Sequence, residues 1–266
     1  MIGSLANLIK AKKKGEFILF LGAGASIQSG GPTTEAIVDD VVRRFGDATR
    51  AGGPGKYTEF YDILENRMAR GDRQAVFREY FEHMDPSDGY MKLGELIKRG
   101  WFDVILTTNF DNMPERAFTE LKLALGSDYD RFVAGRDNDD EIGFFLRTPH
   151  PRIKLVKLHG DLGAGILDFT PLETLRFPPP LEENLRKLTR SNMLFMGYSG
   201  RDKSVLGVLN TEGNGIWWAN LSGLHWADRD QRKILSILLK RKSDGNIIGG
   251  DQGRFDNLVD ALFACL

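Results

Sequence analysis

The sequence predicts an α/β protein with a Rossmann-like, doubly wound, mostly parallel sheet of six strands and an inserted helical module. Short runs that are apolar at nearly every position recur along the chain, as expected of parallel strands covered on both faces. Segments with helical periodicity lie between or after these runs, which is typical of an alternating βα order. The length of 266 residues and the hydrophobic fraction of 41% suit one large domain over residues 1–266.

Six apolar runs are the strand candidates. They lie at residues 17–21, 103–107, 153–158, 193–196, 215–219 and 246–248. A helix is predicted after the first run, because residues 37–45 carry an apolar stripe that opens after Pro32-Thr33-Thr34 and ends at Gly46. Further helical patterns cover residues 202–209, 228–240 and 251–263.

Two intervals interrupt this alternation. The segment between the first two strands contains several helical patterns and no strand, which predicts a helical insertion at about residues 50–100. The interval at about residues 126–152 is rich in Asp and Gly, and it is predicted to be an irregular excursion on the surface.

Composition excludes several classes of function. The formal net charge of −1 provides no global attraction to nucleic acid or to an anionic membrane. The single cysteine, Cys265, allows neither a disulfide within the chain nor a zinc site of paired cysteines. The sequence has no signal-peptide pattern and no apolar run of about 18 residues, so we expect a cytoplasmic protein that does not span a membrane.

Small and polar residues follow most of the predicted strands. Ligands of doubly wound sheets bind beyond the carboxyl ends of the strands, so these residues are expected to share one crevice. They are Gly22-Ala23-Gly24-Ala25-Ser26, Thr108-Asn109-Phe110-Asp111, His159-Gly160-Asp161, Gly197-Tyr198-Ser199-Gly200-Arg201-Asp202 and Asn220. Their convergence is stronger evidence for a binding site than any one of the motifs.

The first of these motifs is a glycine turn. Gly22 and Gly24 match the start of the dinucleotide-binding fingerprint, whereas Ile27 occupies its third glycine position. Both glycines would let a pyrophosphate approach main-chain N–H groups and a helix N-terminus. A tight strand-to-helix turn that binds no ligand explains the motif as well.

Two other motifs fall short of a catalytic pattern. The nearest match to a phosphate-binding loop, Gly55-Lys56, lacks the first glycine and the hydroxyl residue of that pattern, and no strand precedes it. The turn at residues 197–200 resembles a nucleophile elbow, but Arg201 stands where close packing requires a very small residue. A serine hydrolase that uses Ser199 is therefore only an alternative.

His159 is the histidine expected to face the ligand crevice, because it ends an apolar strand next to the strand that ends with Asn109 and Asp111. The other three histidines are interpreted as structural. Asn109 and Asp111 can each cap the helix that begins near Met113. A capping role does not exclude a catalytic one.

Taken together, these motifs resemble the signature of the sirtuins, the silent information regulator type of protein. The matching segments are "GAGAS" with "SGGP", "TNFD" and "HG", and the Gly197-Tyr198-Ser199 turn and Asn220 stand where that family has later nucleotide-binding motifs. The similarity runs in the same order over about residues 15–222. It implies a Rossmann-type domain that uses NAD+.

The chain departs from the sirtuin deacylases at two points. Residues 33–36 read Thr-Thr-Glu-Ala where deacylases carry an Asp-Phe-Arg-type stretch, and one cysteine cannot form their four-cysteine zinc module. The segments "TTNFDNMPERAF", "KLHGDL" and "LFMGYSGRD" instead resemble the sirtuin-like domains of bacterial anti-phage defence systems. This resemblance implies an NAD+ glycohydrolase that acts as the toxic effector of abortive infection, with NAD+ as the substrate and no metal.

The same resemblance implies roles for individual residues. Asn109 would orient the ribose or the attacking water, and His159 would act as general base on a ribose hydroxyl or on water. Asp111 would lie near the nicotinamide carboxamide. The residues expected to bind the dinucleotide are Gly22, Ala23, Gly24, Ser26, Asp111, Gly197, Ser199 and Asn220.

Two other functions stay open at this stage, an NAD-dependent protein deacylase and a module that senses NAD or a related nucleotide without cleaving it. Because depletion of NAD+ would poison the host, an active hydrolase needs restraint. We therefore expect a homo-oligomer or a larger defence assembly with a sensor domain or protein. No direct contact with nucleic acid or membrane is expected.

Overall fold

Within residues 1–168, 175–229 and 231–266, which this computed structural model describes, nine strands form two sheets. The strands are β1 (Phe17–Leu21), β2 (Phe102–Thr107), β3 (Tyr129–Val133), β4 (Ile153–Lys157), β5 (Gly160–Asp161), β6 (Ile166–Leu167), β7 (Asn192–Met196), β8 (Ile216–Ala219) and β9 (Ile247–Ile248). The larger sheet has the order β3-β4-β2-β1-β7-β8-β9, and all its pairs are parallel. Strands β5 and β6 form a short antiparallel hairpin. The predicted Rossmann-like, mostly parallel fold is confirmed.

Helices cover both faces of the large sheet. They are α1 (Ile2–Ala11), α2 (Thr34–Phe45), α3 (Lys56–Asp62), α4 (Arg70–Phe81), α5 (Asp88–Lys98), α6 (Met113–Glu120), α7 (Ile142–Arg147), α8 (Pro179–Leu188), α9 (Lys203–Val208), α10 (Gln231–Lys240) and α11 (Phe255–Cys265). None of these helices is both long and apolar enough to cross a lipid bilayer in the described part of the chain.

The central strand β1 supplies both hydrophobic cores. Phe17, Leu19 and Leu21 face the core formed with α1, α5, α6 and α11. Ile18 and Phe20 point to the opposite face, where α7, α8, α9 and α10 pack. This alternation follows from the two-residue period of a strand, and it explains why all five positions of β1 are apolar.

The large sheet has seven strands in the described ranges, not the six predicted. The additional strand, β3, lies inside the interval 126–152 that was predicted to be irregular. Asp130 and Arg131 interrupt its apolar run, and it pairs only with β4 at the sheet edge. An edge strand of this kind lacks the continuous apolar pattern by which the six other strands were found.

The helices between β1 and β2 divide between two cores. Helices α2, α3 and α4 form a third hydrophobic cluster that also includes Leu167 of the β5–β6 hairpin. Helix α5 packs instead in the core beside the sheet. As predicted, α2 begins after Thr33, whose Oγ1 accepts a hydrogen bond from the Ala36 N–H at 3.1 Å. The insertion boundaries and the single-domain assignment stay predictions.

The strand order places a topological switch point between β1 and β7. The chain leaves β1 toward β2 on one side, and it leaves β7 toward β8 on the other side. Doubly wound sheets bind ligands outside the carboxyl ends of the strands at such a point. The segments that follow β1 and β7 are Gly22–Ser26 and Gly197–Asp202, two of the motifs selected from the sequence.

Candidate functional site

The glycine turn after β1 packs directly against the turn after β7. The Gly24 N–H donates to the Gly197 carbonyl at 2.8 Å. A Cβ atom added to Gly22 or Gly24 would lie 2.7 or 2.8 Å from that same carbonyl oxygen. Gly197 has a φ of 65°, and a Cβ atom there would lie 2.3 Å from the Ala25 nitrogen. This contact between two turns accounts for the glycines without a ligand, and the pyrophosphate role stays a prediction.

Asn109 follows β2 and is buried with its amide group fixed. Its Nδ2 donates to the Gly22 carbonyl and to Ser26 Oγ, both at 3.1 Å. Rotation of the amide by 180° would set its oxygen against the Gly22 carbonyl, so these partners determine the orientation. The buried Oδ1 has no hydrogen-bond partner among the described residues. Asn109 therefore presents a free acceptor, and both of its amide hydrogens are already used.

Ser26 is the centre of a buried hydrogen-bond network. Its hydroxyl donates to Asp111 Oδ2 at 2.8 Å, accepts from Asn109 Nδ2, and lies 3.0 Å from the Tyr90 hydroxyl. Because a serine hydroxyl has one hydrogen and two lone pairs, Tyr90 must be the donor in that last contact. The network uses the full hydrogen-bonding capacity of Ser26 and joins the ends of β1 and β2.

Asp111 lies at the far end of this network. Its Oδ1 accepts from the Met113 N–H at 3.1 Å, as expected of a group that caps the start of α6. Burial raises the pKa of Asp111 above its usual range, although the nearby Lys157 charge and the hydrogen bond from Ser26 oppose the increase. Burial also raises the pKa of Tyr90, with a further contribution from the Asp111 charge. Burial thus disfavours the charged form of Asp111, whereas Lys157 and Ser26 favour it.

Lys157, which sequence reasoning did not single out, is fully buried at the end of β4. Its Nζ donates to the Asp111 carbonyl at 2.5 Å and forms an ion pair with Asp161. Burial alone would raise the pKa of Asp161, but the Lys157 charge lowers it below its usual range. A lysine at the end of a strand in which every residue is buried, two residues before His159, was the signal available in the sequence.

His159 is buried at the end of β4, next to the end of β2, as predicted. Its Nε2 hydrogen-bonds to Asp202 Oδ2, and its ring stacks on Phe177 with a centroid distance of 5.7 Å and an interplanar angle of 18°. Burial raises the pKa of Asp202, but the hydrogen bonds from His159 and Ser204 outweigh this effect and leave it below its usual range. Asp202 was named in the motif after β7 without a role of its own.

A cavity of about 340 Å³ opens beside His159. It lies at the carboxyl ends of β3 and β4, and α8 and α9 close its other side. Its lining includes Gly135, His159, Asp168, Arg176, Phe177 and Ser204. Asn109 does not line this cavity, so the two predicted catalytic residues have different immediate surroundings.

The segment after β7 contacts both the glycine turn beside Asn109 and the ring of His159. At one end Gly197 touches the glycine turn, and at the other end Asp202 pairs with His159. Asn220, after β8, donates from Nδ2 to the Tyr198 carbonyl at 2.9 Å. The Asn220 Oδ1 is a second buried acceptor without a partner in the part of the chain described. The switch point between β1 and β7 is thus flanked by two free amide oxygens, that of Asn109 after β2 and that of Asn220 after β8.

Ser199 is exposed in this segment. The buried histidine, His159, pairs with Asp202 and not with Ser199. The geometry therefore gives no support to a serine hydrolase on this turn.

Comparisons with known proteins relate the chain to one domain family. Residues 103–213 match the family model of the SIR2-like domain. A sequence comparison with proteins of curated function found no match.

Solved structures of Sir2 homologues share the fold over nearly the whole chain. A crystal structure of a Sir2 homolog–NAD complex has a TM-score of 0.54 and 16% identity, with 98% of this chain and 92% of that chain covered. A structure on the mechanism and regulation of Sir2 enzymes has a TM-score of 0.53 and 16% identity, with coverages of 99% and 96%. A Sir2 homologue variant in complex with ADP-ribose has a TM-score of 0.52 and 14% identity, with coverages of 97% and 95%.

At these identities the structural likeness establishes the fold, and the family match covers the strands that carry Asn109 and His159. The chain thus has the fold of the Sir2 homologues, and residues 103–213 match the SIR2-like domain family.

Proposed function

We propose that this chain hydrolyses NAD+ to nicotinamide and ADP-ribose. The observation that supports this most is the buried Oδ1 of Asn109, which is fixed at the switch point and has no partner among the described residues. A buried polar atom without a partner costs roughly 1–3 kcal/mol. A ribose hydroxyl or a water molecule that donates to Oδ1 would recover this energy.

NAD+ is the substrate that these features favour. A dinucleotide has to extend along the switch point, and the free amide oxygens of Asn109 and Asn220 lie after strands on the two sides of β1 and β7. The SIR2-like match and the likeness to NAD and ADP-ribose complexes of Sir2 homologues favour the same ligand. The pyrophosphate and ribose roles of the predicted binding residues belong to this proposal.

The chemistry requires little from the protein beyond placement and charge. Nicotinamide leaves as a neutral molecule from a cationic ring, so it needs little acid assistance. The barrier lies in a ribose with oxocarbenium-like character, as in other glycoside cleavages. Asn109 would hold the water or the ribose through its free acceptor, and His159 would take up the proton.

Hydrolysis rather than transfer to an acyl-lysine peptide is favoured by the sequence around the site. Residues 33–36 lack the Asp-Phe-Arg-type stretch of the deacylases, and the chain has one cysteine where their zinc module needs four. By the same resemblance, we propose that the activity is the toxic effector of an anti-phage system and is restrained by an oligomer or a sensor protein. Growth and the cellular NAD+ level after induced expression, compared with an Asn109→Ala strain, would test this role.

The decisive experiment is incubation of the purified protein with NAD+ and chromatography of the products. We expect equimolar nicotinamide and ADP-ribose from the wild type. Asn109→Ala and His159→Ala should each lower the rate by about 100-fold or more while calorimetry still detects NAD+ binding. Thermal unfolding serves as the control for folding.

Other outcomes would contradict this proposal in distinct ways. Nicotinamide release that depends on an added acyl-lysine peptide would indicate a deacylase. Binding of NAD+ without any product would indicate a sensing module. Release at the wild-type rate in both variants would show that another part of the chain performs the reaction.

A further inference from the structure

We infer that Asp202 is a positioning residue that fixes the tautomer of His159, so that Nδ1 is the ring nitrogen left free to accept a proton. This inference deepens the proposed function and rests on it only for its kinetic consequence. Which nitrogen of the His159 ring carries the hydrogen can be measured without NAD+.

The two oxygens of Asp202 have separate partners. Oδ1 caps α9, because it accepts from the Ser204 N–H at 2.9 Å and from the Ser204 hydroxyl at 2.7 Å. Oδ2 is left for His159 Nε2. Since the helix cap fixes the carboxylate, the direction from which it meets the imidazole is fixed as well.

A carboxylate accepts hydrogen bonds and cannot donate them when it is ionised. The hydrogen bond with Asp202 therefore places the imidazole hydrogen on Nε2, and the lone pair of a neutral ring is then on Nδ1. Hydrogen bonds from His159 and Ser204 keep the pKa of Asp202 below its usual range despite burial, which agrees with an ionised carboxylate at neutral pH.

The surroundings restrict the ring as well as its tautomer. Phe177 stacks on one face of the imidazole, and the His159 side chain is only 8% exposed. The carbonyl of His159 accepts from the Asp168 N–H at 3.0 Å, which ties the backbone to the segment beside the cavity. A ring held at its Nε2 edge and on one face has few ways to rotate.

In the reaction, the proton would leave a ribose hydroxyl or the attacking water and form a bond to Nδ1. The product is an imidazolium ion whose charge is paired with the Asp202 carboxylate through the Nε2–H. Asp202 gains no proton in this step; it orients the base and stabilises its charged form.

Asp202→Asn separates this role from helix capping. Asn caps helices about as well as Asp, so α9 should still form and the variant should still fold. The neutral amide can either donate to or accept from Nε2, so it no longer selects one tautomer. Asp47→Asn is the matched control, because Asp47 caps a short turn through Oδ1 and makes no contact with His159 in the described structure.

The first measurement is nitrogen NMR of the protein labelled with 15N-histidine, in the absence of NAD+. The chain has only four histidines, and His159→Ala identifies the signal of interest. We expect a protonated Nε2 and an unprotonated Nδ1 in the wild type and in Asp47→Asn, and a mixture of tautomers in Asp202→Asn. A protonated Nδ1 in the wild type, or an unchanged signal in Asp202→Asn, overturns the inference.

The second measurement is steady-state hydrolysis of NAD+. Asp202→Asn should lower kcat by about 100-fold with little change in KM, because the base is misoriented while the binding residues are intact. Asp47→Asn should retain wild-type kinetics. A wild-type kcat in Asp202→Asn overturns the inference even if the tautomer is as expected. A wild type with the expected tautomer and no hydrolysis contradicts the proposed function alone.

Discussion

Lys157 carries a positive charge in the interior, at the end of β4 and beside the backbone that follows β2. It contacts the Asp111 carbonyl at 2.5 Å and pairs with Asp161, whose side chain is 2% exposed. Removal of one partner of a buried ion pair leaves the other charge without compensation, whereas the intact pair gains little over apolar residues. Lys157 therefore holds the loop of Asn109 and Asp111 in place, and its intact ion pair adds little net stability.

Lys157→Met is expected to lower the free energy of unfolding by about 3 kcal/mol, because it leaves the Asp161 carboxylate buried with a weaker set of partners. Arg131, whose Nη1 lies 3.5 Å from Asp161 Oδ2, would still be present. Lys187→Met is the matched control, since Lys187 pairs with Glu183 on the surface and both side chains are mostly exposed. Urea denaturation should show a change below about 1 kcal/mol for the control. Equal changes in both variants would contradict the role assigned to Lys157.

At the scale of residues, the sequence predicted the groups that follow the strands but not the contacts that hold them. Asn109, Asp111 and His159 were selected because each lies within a few residues of the end of an apolar run, and their roles stay predictions. Tyr90, the partner of Ser26, and Asp202, the partner of His159, come from other parts of the chain, and neither role was predicted. Their contacts depend on side-chain conformations and on the packing of α5 and α9, which periodicity does not describe.

The elements of the site meet through the contact between the turns after β1 and β7. Neither turn has space for a methyl group there, since a Cβ atom on Gly22, Gly24 or Gly197 would lie less than 3.0 Å from backbone atoms of the opposite turn. The sequence predicted a close approach at this position but not its partner. Parallel register between β1 and β7, which sets the two turns against each other, is a tertiary property.

Gly197→Ala should therefore separate the two turns. We expect a loss of about 2 kcal/mol or more in the free energy of unfolding, because the substitution combines a positive φ with a contact of 2.3 Å to the Ala25 nitrogen. The control is Gly207→Ala within α9, where an added Cβ meets nothing within 4 Å. That substitution should be neutral or should stabilise by about 0.5–1 kcal/mol.

Both variants should also be compared for NAD+ binding by calorimetry. Weaker binding in Gly197→Ala at a temperature where it is fully folded would support a ligand at this contact. Stability in Gly197→Ala equal to that of the wild type would contradict the turn-to-turn packing.

For the whole molecule, the fold class was the most predictable feature because it depends on many residues at once. Apolar runs and helical stripes recur along the chain, so the predicted class was correct even though one strand, β3, was not predicted. The few buried ionisable groups beside the carboxyl ends of the strands were less predictable, because the charge of each depends on single contacts. The pH dependence of stability is a property of the whole molecule that reports on those contacts.

Acidification should reduce the stability advantage of the wild type over Asp202→Asn. The pKa of Asp202 is lower in the folded protein than the ordinary value of 3.8 that applies to the unfolded chain. Between these two values the unfolded state binds more protons, so stability rises with pH, and each unit of difference contributes about 1.4 kcal/mol. The contribution is complete above pH ~3.8 and is lost as the pH falls through the folded pKa.

The amide that Asp202→Asn introduces does not titrate, so the variant lacks this contribution at every pH. The denaturation midpoints of the wild type and the variant should therefore differ by a constant amount above about pH 4 and converge as the pH falls below it. Urea denaturation of both proteins above and below that pH is the measurement. A difference that stays constant as the pH falls would show that the carboxylate is not stabilised in the fold, and the pairing with His159 would have to be abandoned.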